Sequence, residues 1–440
     1  MQAVVRPTGD GHRSIGEVRR TPLLPALTLL ALALPGAAVA AVPADTPVMT
    51  RGDLPRAVTA VSSATKPKRK QLKDAIARLQ ARGNIDAQEA RTALADDLAA
   101  RRLARRLKGV RRKELRAVLR NADDMAVAGT LTAPRLAPVM ETIRRNTAWW
   151  GGSGTVAYGR RMTFPGSDLV WQGYPGQGIQ IQWLATFARM NQLFLAKSRN
   201  DELARMAAEV SAYAVPRAGG IAWEYLFRFG GGRPPWVSGL AQGTAIQALA
   251  RAGARLSRLR LLDLAHDALG IFRTAPPAGV RVRASGAAGG EERAHYLIYS
   301  YAPGQRVYNA FLQALIGLHD FAGIRNDPLA RRLFIEGERE AQIEILKADT
   351  GSWSLYQPGV PSSLGYHKVL RDFAQGLCVR LNRDRQRAVL DLRDITGDQG
   401  AVLGDLGNWP DPEPYCVASQ NFTLYLYARR RAAGLPAPTF

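Results

Sequence analysis

The sequence predicts a mainly α-helical fold, an (α/α) toroid of helical hairpins preceded by a smaller helical region. Three observations carry this. Long Ala/Leu-rich segments place apolar residues at helical spacing. A polar turn with an amide side chain recurs before apolar segments at Gln177, Gln242 and Asn309, at offsets of 65 (242 − 177) and 67 (309 − 242) residues, with a looser copy at Ser419-Gln420-Asn421. A period of that length suits a repeated helix pair, and stacking such pairs in a ring would bring their polar starts to a common cleft. β-type residues with turn signals gather in one short stretch, Val156 to Val170 around Pro165-Gly166, which predicts a β-hairpin.

In chain order, Arg19-Arg20 precedes the apolar run that starts at Leu23 and ends at Ala38-Val39-Ala40. That is the pattern of a signal peptide over residues 1–40, cleaved near Ala40, so the chain is expected to be exported, either secreted or held in the cell envelope. The run is too short and too interrupted by proline for a transmembrane helix. Residues 41–65 read as a linker. Residues 66–147 read as a basic helical region: Leu72, Ile76 and Leu79 form one stripe, and Asp86-Ala-Gln-Glu89 has the spacing of a capping box. Arg111 to Arg120 makes a third helix, and Thr132-Ala-Pro134 starts a fourth.

Residues 148–435 form the toroid on this reading. Its further helices are expected over Asp201 to Tyr213, Ala254 to Phe272, Asp327 to Lys347, Leu370 to Leu381 and Phe422 to Ala432.

The formal charge of the 440-residue chain is +23, with 46 % hydrophobic and 22 % charged residues. The composition is globular, and the basic surplus clusters in residues 66–120. Solvated Arg faces explain it most simply, and an anionic polysaccharide or surface is the sharper reading. Export argues against a nucleic-acid partner. Cys378 and Cys416 are the only cysteines, and the sequence leaves open a disulfide or two buried thiols. Five scattered histidines offer no zinc spacing, so no metal is expected. Oligomeric state stays open between monomer and homodimer.

The region from Tyr296 to His367 carries the chemistry. Its order is Tyr299, then Asn309-Ala310-Phe311 with Leu315-Ile316-Gly317-Leu318-His319-Asp320, then Asp349-Thr350-Gly351-Ser352-Trp353-Ser354-Leu355-Tyr356, then Tyr366-His367. This order resembles the C-terminal domain of D-glucuronyl C5-epimerases, and Ala241-Gln242-Gly243-Thr244-Ala245 is similar to a further segment of that family. The similarity runs from about residue 150 to 430. It implies an (α/α) toroid, a uronate polysaccharide as partner, no organic cofactor, and Tyr299, Tyr356 and Tyr366 as the functional tyrosines. The chain departs from the family by having Leu297-Ile298 where acidic residues precede the first tyrosine, and Gln357-Pro358-Gly359 after the second.

Epimerisation at C5 removes a proton α to a carboxylate and returns one on the other face. It therefore needs acid/base groups beside the ring and a cation for the charge that develops on the carboxyl group. Tyrosine serves as donor at its ordinary pKa and as base where a cation favours the phenolate. Arg306 and Arg371 are the cations close in sequence, and a guanidinium fork suits a carboxylate. His367 is placed to orient Tyr366 or bind substrate, and Gln177, Gln242 and Asn309 are candidate substrate contacts at the helix starts. The default for each taken singly is a packed or solvated side chain.

Overall fold

The computed structural model describes residues 71–152, 154–284, 292–396 and 410–434, with side chains of the 364–396 helix described to residue 388. The expected signal peptide and the linker at 41–65 lie outside these residues. Four helices open the described chain: α1 (Gln71–Ala81), α2 (Ala87–Arg106), α3 (Gly109–Val127) and α4 (Ala133–Gly152). The capping box at α2 is formed in full, Asp86 accepting from Glu89 N–H and Glu89 accepting from Asp86 N–H.

The β stretch is a three-stranded antiparallel sheet of β1 (Arg161–Met162), β2 (Trp171–Tyr174) and β3 (Gly178–Ile181). It begins inside the predicted hairpin but extends past it, through residues assigned from sequence to the turn of a helical unit. α5 (Trp183–Leu195) starts only after β3, and α6 (Asn200–Ala212) follows. The short pair β4 (Val215–Arg217) and β5 (Gly220–Ala222) leads to α7 (Gly239–Leu256). The helix expected over Ala254 to Phe272 is three pieces: the end of α7, α8 (Leu259–Asp267) and α9 (Gly270–Arg273), because Ser257 adopts a left-handed conformation that closes α7. β6 (Arg281–Arg283) pairs with β7 (Ala294–Tyr296) before α10 (Tyr308–Arg325) and α11 (Pro328–Ala348). β8 (Leu355–Gln357) and β9 (Val360–Pro361) precede α12 (Leu364–Thr396), and α13 (Glu413–Ala432) completes the described chain.

Helices α5, α7, α10 and α12 pack side by side in that order. α6, α8, α11 and α13 each pack against the member of that row before them in sequence, so the four helices of the row are named inner and these four outer. The tightest step in this row is α7 against α10, and glycine makes it so. A Cβ on Gly317 would sit 2.0 Å from the Gly243 carbonyl oxygen, and one on Gly243 would sit 2.6 Å from Ala314 Cα. The Gln-Gly-x-Ala and Leu-Ile-Gly-Leu runs read from sequence are therefore contact surfaces between inner helices. Gly317→Ala is expected to cost about 1–3 kcal/mol, since backbone on the far side cannot give way. A urea midpoint equal to that of the parent protein would overturn this. The looser amide copy at Ser419-Gln420-Asn421 falls in α13, an outer helix, so it does not start an inner one.

Cys378 on α12 and Cys416 on α13 form a disulfide, with Cα atoms 4.9 Å apart. Among the described residues no helix is long and apolar enough to cross a membrane.

Candidate functional site

The inner helices α5, α7, α10 and α12 begin at one end of the row, and a cleft opens there. Its space is about 840 Å³, part of it open to solvent. The helix starts supply Gln182, Ser238, Asn309 and Tyr366 to its lining. The loops before those helices supply Tyr225, Phe227, Phe229, Trp236, Ile298 and Tyr299. The sheet adds Arg161, Gln172 and Tyr174, with Tyr158 from the turn before β1, and β8 adds Tyr356. Gln172 and Tyr174 reach the same cleft because side chains alternate along a strand.

Loop 223–236 is held from behind. Glu224 is buried and receives Arg135 of α4 and Arg217 of β4, each at 2.6 Å. Tyr225 pairs across an isolated bridge with Trp236, and their rings stack at 4.3 Å. Gln182 then links two phenols: its amide donates to Tyr174 Oη at 2.9 Å and its carbonyl accepts from Tyr225 Oη at 2.9 Å. The wall continues through Tyr299, whose ring meets Trp236 edge-on at 5.5 Å and Phe229 at 5.8 Å. Tyr356 and Tyr366 stand together with ring centres 4.7 Å apart.

Burial sets the electrostatics of these phenols. It pushes the Tyr299 hydroxyl well above the ordinary tyrosine range, and the neighbouring Tyr356, Tyr301 and Tyr366 add to the shift. Tyr174 is raised in the same way, against a pull from Arg161 in the opposite direction. Both are neutral proton donors at neutral pH. Asn309 is 5 % exposed, and its Oδ1 has no hydrogen-bond partner among the described residues. A buried acceptor left so is costly unless a ligand donates to it.

Of the residues singled out from sequence, Tyr299, Tyr356, Tyr366 and Asn309 meet in this cleft. The others do not line it, for identifiable reasons. Gln177 lies in the β2–β3 turn, where its Oε1 accepts from Asn121 of α3 at 3.0 Å. Gln242 is fully buried and clamps Trp223, donating to its carbonyl at 2.8 Å and accepting from its N–H at 3.3 Å. Arg306 turns to α11, bridging Glu340 at 3.1 Å and Glu344 at 2.7 Å. Arg371 pairs with its neighbour Asp372.

His367 is fully buried beside the cleft, not in it. Its Nε2 donates to the Phe422 carbonyl at 2.8 Å, and Nδ1 accepts from Ser354 N–H at 3.2 Å. Its ring stacks on Trp353 with centres 3.7 Å apart. It thus ties the strand that carries Tyr356 to the helix that carries Tyr366. Burial lowers its pKa from 6.5 to about 4. The unfolded chain takes up this proton first, so stability is complete above pH 6.5 and falls progressively as pH drops towards 4. His367→Gln, which has no such titration, is expected to flatten the melting-temperature slope between pH 6.5 and 5. Parallel pH profiles for the two proteins would sink the assignment.

Sequence reading missed Arg161, Tyr174, Gln182, Tyr225 and Trp236. Alternation in Trp171-Gln172-Gly173-Tyr174 was the available signal for Gln172 and Tyr174. Nothing local marks Arg161, the cation that lines the cleft among the described residues. No curated protein matches the chain. Residues 219–386, which supply the cleft lining from Tyr225 to Phe373, match the family model of the D-glucuronyl C5-epimerase C-terminus.

Proposed function

We propose that the cleft binds a uronate residue of a polysaccharide and inverts it at C5, converting D-glucuronate to L-iduronate or an analogous pair, in an exported enzyme. The observation that carries this reading is the convergence of Tyr299, Tyr356 and Tyr366, from three separate segments, on one cleft that also contains Arg161. Arg161 takes the role expected of Arg306 or Arg371. Its guanidinium fork binds the substrate carboxylate and offsets the charge that develops there when the C5 proton leaves. Four helix N-termini open on the same space, and their partial positive ends favour an anionic ligand. The flat faces of Trp236, Phe229 and Tyr299 suit the apolar face of a sugar ring. Asn309 Oδ1 accepts from a sugar hydroxyl.

The tyrosines divide the proton work. One member of the Tyr356–Tyr366 pair, as phenolate, takes the C5 proton, leaving the electron pair on C5 and its carboxyl group. Tyr299, kept neutral by burial, donates a proton to the other face, and solvent restores both groups. Ile298 lines the cleft where the family carries an acidic residue, so the acid/base set is drawn from tyrosines. The inner row with its outer helices is read as the arc of an (α/α) toroid. The disulfide and the N-terminal residue pattern support export.

The test is solvent deuterium uptake at C5, read by NMR on heparosan and a panel of bacterial uronate polymers. Exchange without chain cleavage supports the epimerase. Exchange accompanied by an unsaturated, ultraviolet-absorbing product would make it a lyase. Retained binding without exchange would mean a glycan-binding protein on this scaffold.

A further inference from the structure

The N-terminal helices carry a basic surface that the cleft chemistry does not use. Residues 101–120 contain ten Lys or Arg and a single acid, Glu114. Glu114 is buried and spent: it accepts from Gly176 N–H at 2.7 Å and Gly178 N–H at 2.8 Å. Arg102, Arg105, Arg106, Lys108, Lys113, Arg116 and Arg120 are exposed, and none makes an ion pair with a described residue. Exposed arginines elsewhere in the chain do pair, as Arg144 with Glu141 and Arg228 with Asp124, both at 2.6 Å. Lys113, Arg116 and Arg120 recur at i, i+3 and i+7, one stripe of about 10 Å along α3.

Two features set this surface apart from an ordinary solvated face. The first turn of α3 holds Arg111 and Arg112 with no acid, after Lys108 at an N-cap that makes no side-chain bond. Cations there oppose the helix dipole, and an anion bound at the α2–α3 corner would relieve both. The helix that carries the stripe also holds segments that line the cleft. α3 carries the β2–β3 turn through Glu114, next to Tyr174, and its Asp124 holds Arg228 between the cleft residues Phe227 and Phe229. No Phe, Tyr or Trp occurs in residues 71–148, so nothing there stacks on bases or anchors at a membrane interface.

We propose that the α2–α3 corner is a docking stripe for a linear anionic polysaccharide, holding a further stretch of the polymer whose uronate lies in the cleft. The proposal rests on the uronate-polymer reading above. Guanidinium groups in a row match successive carboxylates without reading their sequence.

The test uses the mature full-length protein and a variant carrying Arg105→Ser, Arg106→Ser, Arg116→Ser and Arg120→Ser. Binding of fluorescent long-chain heparosan and of a short heparosan oligosaccharide is measured by anisotropy over a salt series. The variant is expected to bind the long chain about tenfold or more weakly, with a shallower salt slope, and the oligosaccharide unchanged. Equal affinity of variant and parent for the long chain would overturn the proposal, as would an equal loss on the oligosaccharide. Tighter, stripe-dependent binding of duplex DNA or phosphatidylserine vesicles would overturn it too. Stripe-dependent binding without C5 exchange leaves the stripe standing and removes the epimerase. Exchange with stripe-independent binding does the reverse.

Discussion

Phenylalanine at position 299, and at whichever of 356 and 366 is the base, is expected to reduce C5 inversion by about 10²- to 10⁴-fold, the range that a positioned acid or base contributes. That corresponds to roughly 3–5 kcal/mol of transition-state stabilisation. The loss should fall on kcat, with KM changed little, because each ring stays in place and only an oxygen is removed. Tyr299 is the cleanest of the three. Its ring packs against Trp236, Phe229 and Tyr301, so the phenylalanine variant keeps the wall intact. The Tyr356→Phe and Tyr366→Phe double variant should be scarcely worse than the more damaging single, since groups acting as a unit are not additive. Arg161→Ala should also lose activity, with a larger share in KM. Inversion at parental rate in any of the tyrosine variants would remove that residue from the acid/base set.

Much of the helical order was legible because its signals are local. The Asp86–Glu89 capping box and the Asp327 cap of α11, which accepts from Ala330 N–H, are fixed by residues three positions apart. The three tyrosines were legible only together, through their order with the glycine motifs. The amides were harder. Gln177, Gln242 and Asn309 share a sequence pattern but occupy a β-turn, a buried clamp and a cleft wall, because β3 inserts between Gln177 and its helix. The residues that do cap α5 and α7 are Gln182 and Ser238, a few positions away. Arg161 was invisible for a different reason: its place in the cleft depends on a sheet packing onto helix starts far along the chain. The disulfide shares that property, since 38 residues separate its two cysteines.

Alanine at position 320 is expected to destabilise the fold by roughly 3–5 kcal/mol, because it strands two buried guanidinium groups. Asp320 lies twelve residues into α10, about 18 Å along the inner row from the cleft end. Arg380 of α12 grips it at 2.6 Å and 2.9 Å, and Arg251 and Gln247 of α7 each reach it at 2.8 Å. Arg251 and Gln247 extend the network to Asn191 of α5, at 2.9 Å and 3.1 Å. One carboxylate thus joins all four inner helices. Burial alone would raise its pKa, but Arg380 and Arg251 outweigh it and hold it well below the ordinary range. Its contribution is therefore present above the unfolded value of 3.8 and is lost only as pH falls through the lower folded pKa. Being buried, the pairing should resist salt. Replacing Arg251 and Arg380 by Met in the Asp320→Ala background should recover most of the loss, which separates stranded charge from lost packing. A urea midpoint for Asp320→Ala within the equivalent of 1 kcal/mol of the parent would show that the network does not hold the inner row together.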